Sequence, residues 1–430
     1  MGAGMTDKSE DLTVEIASLG PRGDGIAESE RGRLYVADAL PGERVRVRTG
    51  GKRGVGFVAT LKEVVEPSPE RADPPCRHFA DCGGCSVQHL EDGAYGAWKY
   101  QLVAAALERV GFDPDVVAPL VRTEPAGRRR AEFSAFRPRA SAARTFFGFH
   151  ARASRHVVEI EDCLILHPDL MTLVAKLRTE LAELVSPGAR WDVSVTLAEN
   201  GADALISANH APGPDASLAL AMFAEREDLA RVSWKTGGEV EPVAMRRRPV
   251  LEVSGHPVDI PPGVFLQASA EAERALSQLV CDGAAGSNIA DLYCGTGTFA
   301  LPLAAGGANV MAVDGDGAAV EALARAAGTG GFGGQVRTEI RDLAKRPFTT
   351  AELKGFDTVV FDPPRAGAAA QAGELANSDV ARVVAVSCNP ATFARDARIL
   401  ADGGYALEQV TPIDQFVWSG HVELVGVFRR

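Results

Sequence analysis

The stretch "DLYCGTGTFA", residues 291–300, decides how residues 261–430 are read. It follows an apolar strand-like run and opens a helical one. Gly295 and Gly297 let the backbone approach a ligand closely, and a helix start offers unpaired N–H groups. The pattern also satisfies a loose G-x-G-x-x-A dinucleotide fingerprint, with Asp314 placed to hold a ribose hydroxyl. Two carboxylates argue against a nicotinamide cofactor. Asp291 stands at the strand end just before the glycines, where it would repel a pyrophosphate but could pair with an amino group. Asp362, in "FDPPR" (361–365), closes a later strand and is stiffened by two prolines. With Asp342 after the third strand, the set describes an acid-lined cleft suited to S-adenosylmethionine, a cation without phosphate.

Outward from this stretch, strands alternate with helices: "NIADLYC", "NVMAVD", "QVRTEIRD", "DTVVFDPP", "RVVAVSC", "YALEQVTP" and "HVELVGVF". The order predicts an α/β fold, a doubly wound, Rossmann-like sheet that binds ligands at the carboxyl ends of its strands. At one such end "VSCNPATF", 386–393, places Cys388 between β-branched residues and an Asn-Pro turn. A free cysteine is often a small core residue. A thiol at a strand end before a helix N-terminus can instead be a nucleophile. Cys294, inside the glycine loop, and Cys281 read as packed residues.

The 430 residues carry 46% hydrophobic and 24% charged residues, ordinary soluble composition for two or three domains. No apolar run is long enough for a membrane span and no secretory leader is visible, so a cytoplasmic protein is expected. The net charge of −12 argues against general nucleic-acid binding and requires any RNA to meet a local basic surface. Residues 121–155 supply a candidate, with nine arginines, two acids and Phe133, Phe136, Phe146, Phe147 and Phe149 interleaved. "MRRRP", 245–249, is a weaker second patch. Three of the seven cysteines gather in "CRHFADCGGC" as Cys76, Cys82 and Cys85, and Cys163 in "IEDCLILHP" is a candidate fourth ligand. Clustered cysteines in a reducing compartment favour a metal, and the spacing alone leaves zinc and iron–sulfur open. Residues 11–69 read as short strands broken by glycines, a small barrel.

The stretch "GPRGDGIAE…GRLYVADALPGERVRVR…VVEPSPER" resembles a TRAM domain, an OB-like barrel found on RNA-modifying enzymes. "DLYCGTGTFALPLA", "VFDPPRAG", "VSCNPATFARDARIL" and "HVELV" resemble the RNA 5-methyluridine methyltransferase family, as does a barrel followed by C-x5-C-x2-C and a distant cysteine. The resemblance covers nearly the whole chain. It implies a TRAM barrel over 11–69, a central α+β domain over 70–260 with a basic RNA-binding segment, and a class I methyltransferase domain over 261–430. It implies a 4Fe–4S cluster on Cys76, Cys82, Cys85 and Cys163. The cofactor, S-adenosylmethionine, would be held by Gln267, Asp291, Tyr293, Gly295, Gly297, Asp314, Asp342 and Asp362. Asp314 stands where a longer glutamate is frequent in the family, and "AGTGGFGGQ", 327–335, replaces an asparagine-containing helix end.

The chemistry explains the cysteine. Carbon 5 of uracil is a weak nucleophile, and adding a thiolate to carbon 6 turns the ring into an enolate that can accept a methyl group. The resemblance makes Cys388 that thiolate, Glu423 the base that later removes the carbon 5 proton, and Asp362 an orienting group. The target base would be extruded from its stack to react. The expected partner is RNA, ribosomal 23S RNA before transfer RNA, and the expected state is a monomer. A small-molecule C-methyltransferase would not need the barrel or the arginine-rich run. An RNA-binding iron–sulfur protein with an inactive catalytic domain should have lost Cys388 or Glu423.

Overall fold

The computed structural model describes residues 11–140, 144–253 and 255–430. The chain forms two compact units. One runs to Leu102 and takes in Phe416–His421, and the other comprises Val103–Gln415 and Val422–Arg430.

In the first unit, strands between Asp11 and Glu66 form one six-stranded sheet. Alternation along Arg44–Arg53 turns Val45 and Val47 inward, where they pack with Ile16, Ala27, Leu34, Val36 and Ala59. The outward arginines meet carboxylates: Arg44 pairs with Glu66, Arg46 with Glu63 and Arg48 with Asp11. A cysteine-bearing loop and the helix Asp92–Glu108 follow. Leu40, Val87, Leu90, Tyr95 and Trp98 make a second apolar cluster, with Leu19 and Trp418 packed against it. The loop Phe416–His421 is held there by polar bonds as well. Ser86 N–H donates to Trp418 O at 2.8 Å, Tyr95 Oη accepts from Trp418 N–H at 2.9 Å, and buried Lys99 donates to the carbonyls of Phe416 and His421.

The second unit contains two large sheets. A seven-stranded sheet, antiparallel except for one pair, carries the helices Pro168–Leu184 and Pro214–Arg226 over a core that includes Phe133, Phe147, Leu177, Trp191 and Trp234. Its predicted hairpin is present as Arg190–Ala198 paired with Gly201–Ser207.

The other sheet has eight strands in the order Val336–Ile340, Asn309–Asp314, Asn288–Leu292, Thr358–Phe361, Arg382–Ser387, Glu423–Arg429, Ala406–Asp414 and Val121–Arg122. The first five are parallel, and Glu423–Arg429 runs antiparallel to both of its neighbours. All seven strands expected from the sequence are there, and the fold is the Rossmann-like α/β sheet. Thr358–Phe361 is buried throughout, as a parallel strand covered on both faces requires. Strand order reverses beside Asn288–Leu292, the crevice where such sheets bind ligands.

Candidate active site

Every acid expected in the cleft lies at a carboxyl strand end. Asp291 ends the central strand, Asp314 closes its neighbour, and Asp342 and Asp362 follow the third and fourth strands. Cys388 follows Ser387, and Ser387 pairs with Leu424, so Glu423 reaches the same edge from the antiparallel side.

The glycine loop is shaped by two backbone requirements. Gly297, at φ +101°, packs so tightly that a Cβ there would lie 2.5 Å from Leu323 Cδ1. Gly295, at φ +52°, faces open space. Tyr293 is held at φ +63°, a left-handed conformation that costs a non-glycine residue about 1 kcal/mol or more and collects at functional sites. Its N–H and that of Cys294 both donate to Val313 O. Asp314 locks the loop from the next strand, accepting from Gly295 N–H at 2.9 Å and from Asp316 N–H at 2.8 Å. Asp342 accepts from the backbone of Ala344 and Lys345 and pairs with Lys345 Nζ at 2.7 Å, which holds its carboxyl below the usual range.

Asp291 is fully buried with the Ala300 backbone N–H beside its carboxylate, and no side chain among the described residues bonds it. Burial, and then the charges of Asp362 and Asp314, push its carboxyl well above the ordinary range. Burial beside Asp314 also raises Asp362, to about 7. A cleft with a buried carboxylate that no basic side chain meets, a second raised one and a glycine facing open space suits a cation. S-adenosylmethionine, with its ammonium and sulfonium, fits that donor set.

The helix Pro390–Asp402 starts directly after Asn389, which caps it by accepting from Ala391 N–H at 3.1 Å, and Pro390 occupies the first turn. Its apolar face, with Phe393, Ala397 and Leu400, packs inward. Gly426 on the last strand makes that docking possible, since a Cβ there would lie 2.4 Å from Phe393 Cζ. The Cys388 thiol is half-buried, and its titration differs from the expectation of a favoured anion. Burial, then the charges of Glu423 and Asp362, push it up to about 11, against the opposing charge of Arg365. Asn389 already occupies one free N–H of the helix start, which weakens the help expected from the helix terminus.

Sequence reasoning missed the group that joins the site. Buried Gln415 donates to Gln267 Oε1 at 2.9 Å and to Glu423 Oε1 at 3.5 Å, and accepts from Ala268 N–H at 3.0 Å. It therefore ties the "FLQ" loop to the expected base. The available signal was the polar "DQ", 414–415, at the end of an apolar strand. Arg129 was missed for the opposite reason, having been grouped with the RNA-facing arginines. It is buried, pairs with Glu273 at 2.6 Å, and donates to Gln267 O at 3.4 Å.

Within residues 121–155, the run expected to contact RNA, some side chains are turned inward or paired. Phe133 and Phe147 are core, Arg130 is spent on Val264 O, and Arg144 pairs with Glu159. "MRRRP" is likewise neutralised, Arg246 and Arg247 by Asp228 and Arg248 by Asp259. A hollow of about 550 Å³ lined by Arg129, His167, Asp169 and Glu199 contains none of the expected site residues.

The cysteines divide between the units. Cys76, Cys82 and Cys85 share the loop of the first, and Cys163 belongs to the second. Gly84 N–H donates to Cys82 Sγ at 3.4 Å, a bond suited to a thiolate ligand. Among the described residues, however, no three His, Cys, Asp or Glu side chains gather closely enough to hold a metal ion.

Comparison with known proteins agrees with the fold and chemistry. Residues 338–430 match the family described as tRNA (Uracil-5-)-methyltransferase. An uncharacterised RNA methyltransferase of Brucella melitensis is 44% identical over 97% of each chain. The 23S rRNA (uracil(1939)-C(5))-methyltransferase RlmD of Pseudomonas entomophila is 38% identical, covering 94% of this chain and 91% of its own. The crystal structure of the Pyrococcus abyssi tRNA (uracil-54, C5)-methyltransferase with S-adenosyl-L-homocysteine superposes with a TM-score of 0.74, at 23% identity, over 97% of this chain and all of its own. No helix among the described residues is long and apolar enough to cross a membrane. The chain belongs to the RNA uracil-5-methyltransferase family.

Proposed function

We propose that this enzyme methylates carbon 5 of a uridine in 23S ribosomal RNA, with Cys388 as nucleophile and Glu423 as the final base. The convergence of Cys388 and Glu423 on one edge of the sheet carries the mechanism. The 38% identity to an enzyme named for 23S rRNA supports the substrate, and methylation of transfer RNA by the same chemistry is the alternative.

Bound in the cleft, S-adenosylmethionine would supply an electrophilic methyl on a positively charged sulfur. Asp291, Asp314, Asp342, Tyr293 and the glycine loop would hold it, and Gln267 and Asp362 would orient the reacting groups. Cys388 adds as thiolate to carbon 6, forming a C–S bond, opening the carbon 5–carbon 6 double bond and placing the electron pair in an enolate on the carbonyl oxygen of carbon 4. Carbon 5 would then take the methyl, and the S–CH3 bond would break to leave the neutral thioether S-adenosylhomocysteine. The Glu423 carboxylate removes the carbon 5 proton, the double bond reforms, and the C–S bond breaks to release the thiolate. Gln415 keeps the base and the "FLQ" loop in register.

We further propose the strands between Asp11 and Glu66 as a TRAM-type RNA-binding module in a cytoplasmic, monomeric enzyme. The chemistry of Cys76, Cys82, Cys85 and Cys163 supports a 4Fe–4S donor set, and no reaction step is routed through it. Anaerobic reconstitution with iron and sulfide should give a brown protein that Cys85→Ser bleaches, and a colourless wild-type protein would sink that assignment.

The mechanism is tested by where each variant stops. Cys388→Ala should bind RNA and S-adenosylmethionine but neither methylate nor cross-link. Glu423→Gln should attack and transfer the methyl, then stall as a denaturation-resistant protein–RNA adduct. Normal turnover by Glu423→Gln, or an adduct from Cys388→Ala, would overturn the assignments. Mapping 5-methyluridine in 23S and transfer RNA with and without the protein decides the substrate.

A further inference from the structure

Four hydrogen bonds tie the loop after Asp362 to the helix after Cys388. Asn389 Nδ2 and Thr392 Oγ1 both donate to Arg365 O, at 3.1 and 3.3 Å. Arg395 Nη2 donates to Ala366 O at 3.0 Å, and Ala368 N–H donates to Asp396 Oδ2 at 2.7 Å. Asp396 is buried, at 3% exposure, and pairs with Arg395 at 2.7 Å. Gly367, at φ +78°, completes the fit. A Cβ there would lie 2.5 Å from Arg395 Nη2 and 2.6 Å from Asp396 Oδ2. Residues 389, 392, 395 and 396 line one helical face, so a whole face of the nucleophile's helix is given to gripping residues 365–368.

A buried carboxylate is costly unless bonded, and this one is bonded to the loop rather than to the core. We propose that Asp396, with Arg395, is a positioning residue. By clamping residues 365–368 to the helix, it holds the Arg365 guanidinium where its charge stabilises the attacking Cys388 thiolate. The other charged groups facing the thiol are Glu423 from the last strand and Asp362 from the same loop, and both disfavour the anion. Arg365 is the side chain opposing them, and its own backbone carbonyl and the next three residues are what tie it to the helix. A slack loop would leave the thiol with two carboxylates and no counter-charge. The proposal rests on the reading of Cys388 as nucleophile.

The test is the rate of iodoacetamide alkylation of Cys388 in full-length protein, followed by peptide mass from about pH 7.5 to 9.5, where rate tracks thiolate fraction. Arg365→Gln should alkylate about tenfold more slowly at every pH in the window, the least expected from losing a close opposite charge. Asp396→Ala should slow in the same direction, by about threefold or more. Asp396→Asn, which keeps an acceptor for Ala368 N–H, should recover most of the rate. The double variant Arg365→Gln/Asp396→Ala should be no slower than Arg365→Gln alone. Wild-type alkylation by Asp396→Ala, or full additivity in the double variant, would overturn the proposal. If Asp396→Ala does not fold by circular dichroism, Thr392→Val replaces it under the same criteria. RNA methylation by Cys388→Ala would refute the nucleophile reading without altering these rates, so the two failures are distinguishable.

Discussion

At the scale of single residues, the resting site is set against ionisation. A thiol pushed up to about 11 is almost wholly protonated at neutral pH, and its two carboxylate neighbours are the reason after burial. A sulfonium entering the cleft adds the positive charge that the resting site lacks. Alkylation of Cys388 at neutral pH should therefore be faster with S-adenosylmethionine bound than with S-adenosylhomocysteine, whose sulfur is neutral. Equal rates at equal occupancy would show that the cofactor's charge does not reach the thiol. Asp362 makes a related prediction. Its folded pKa, about 7, lies above the ordinary aspartate value, so its contribution to stability is present below that value and lost as pH rises through 7. Asp362→Asn should raise the melting temperature of ligand-free protein more at pH 8 than at pH 5. A difference independent of pH would mean that the carboxyl titrates normally.

At the scale of elements, four of the five parallel strands were legible because strands buried on both faces read as apolar runs, and each of the four ended in or beside a marker: Asp291, Asp314, Asp362 or Cys388. The arginine-rich run was not legible in the same way. Charge in a sequence does not show whether a carboxylate from 144 residues away will neutralise it, as Glu273 does Arg129. Gln415 was hidden for a similar reason, since its partners lie 148 and 8 residues away. Packing between the catalytic helix and the last strand makes a prediction of its own. Gly426→Ala would press a methyl onto Phe393, and overpacking of this kind costs about 1–3 kcal/mol. Because the displaced helix carries the turn next to Cys388, methyl transfer should fall more than the melting temperature suggests. Unchanged turnover would show that the helix can shift without moving the thiol.

At the scale of the whole molecule, the expected break after residue 69 passes through shared apolar surface. Leu19 and Leu40 precede it, yet they pack with Val87, Tyr95 and Trp98, which follow it. A chain shortened by its first 69 residues should retain S-adenosylmethionine binding, whose proposed residues all lie in the second unit, and lose RNA affinity. It should also bind more of an apolar fluorescent dye than the full chain, because that cluster is uncovered. Loss of cofactor binding in proportion to RNA binding would make the barrel part of the catalytic core.

The loop Phe416–His421 gives the molecule an order of assembly. A ribosome delivers Lys99 long before Phe416, 317 residues later, whose carbonyl Lys99 holds. Domains released from the ribosome ordinarily fold as they emerge, starting from the N-terminal end. Here the first unit waits for Trp418 to fill its apolar cluster, and it is completed only after the second unit's parallel strands have been made. Glu423 leaves the ribosome two residues after that closing segment. Synthesis that stops short of Phe416 therefore leaves both an unclosed N-terminal unit and a sheet without Glu423, the proposed base, so such a product should lack a closed first unit and methylation activity together.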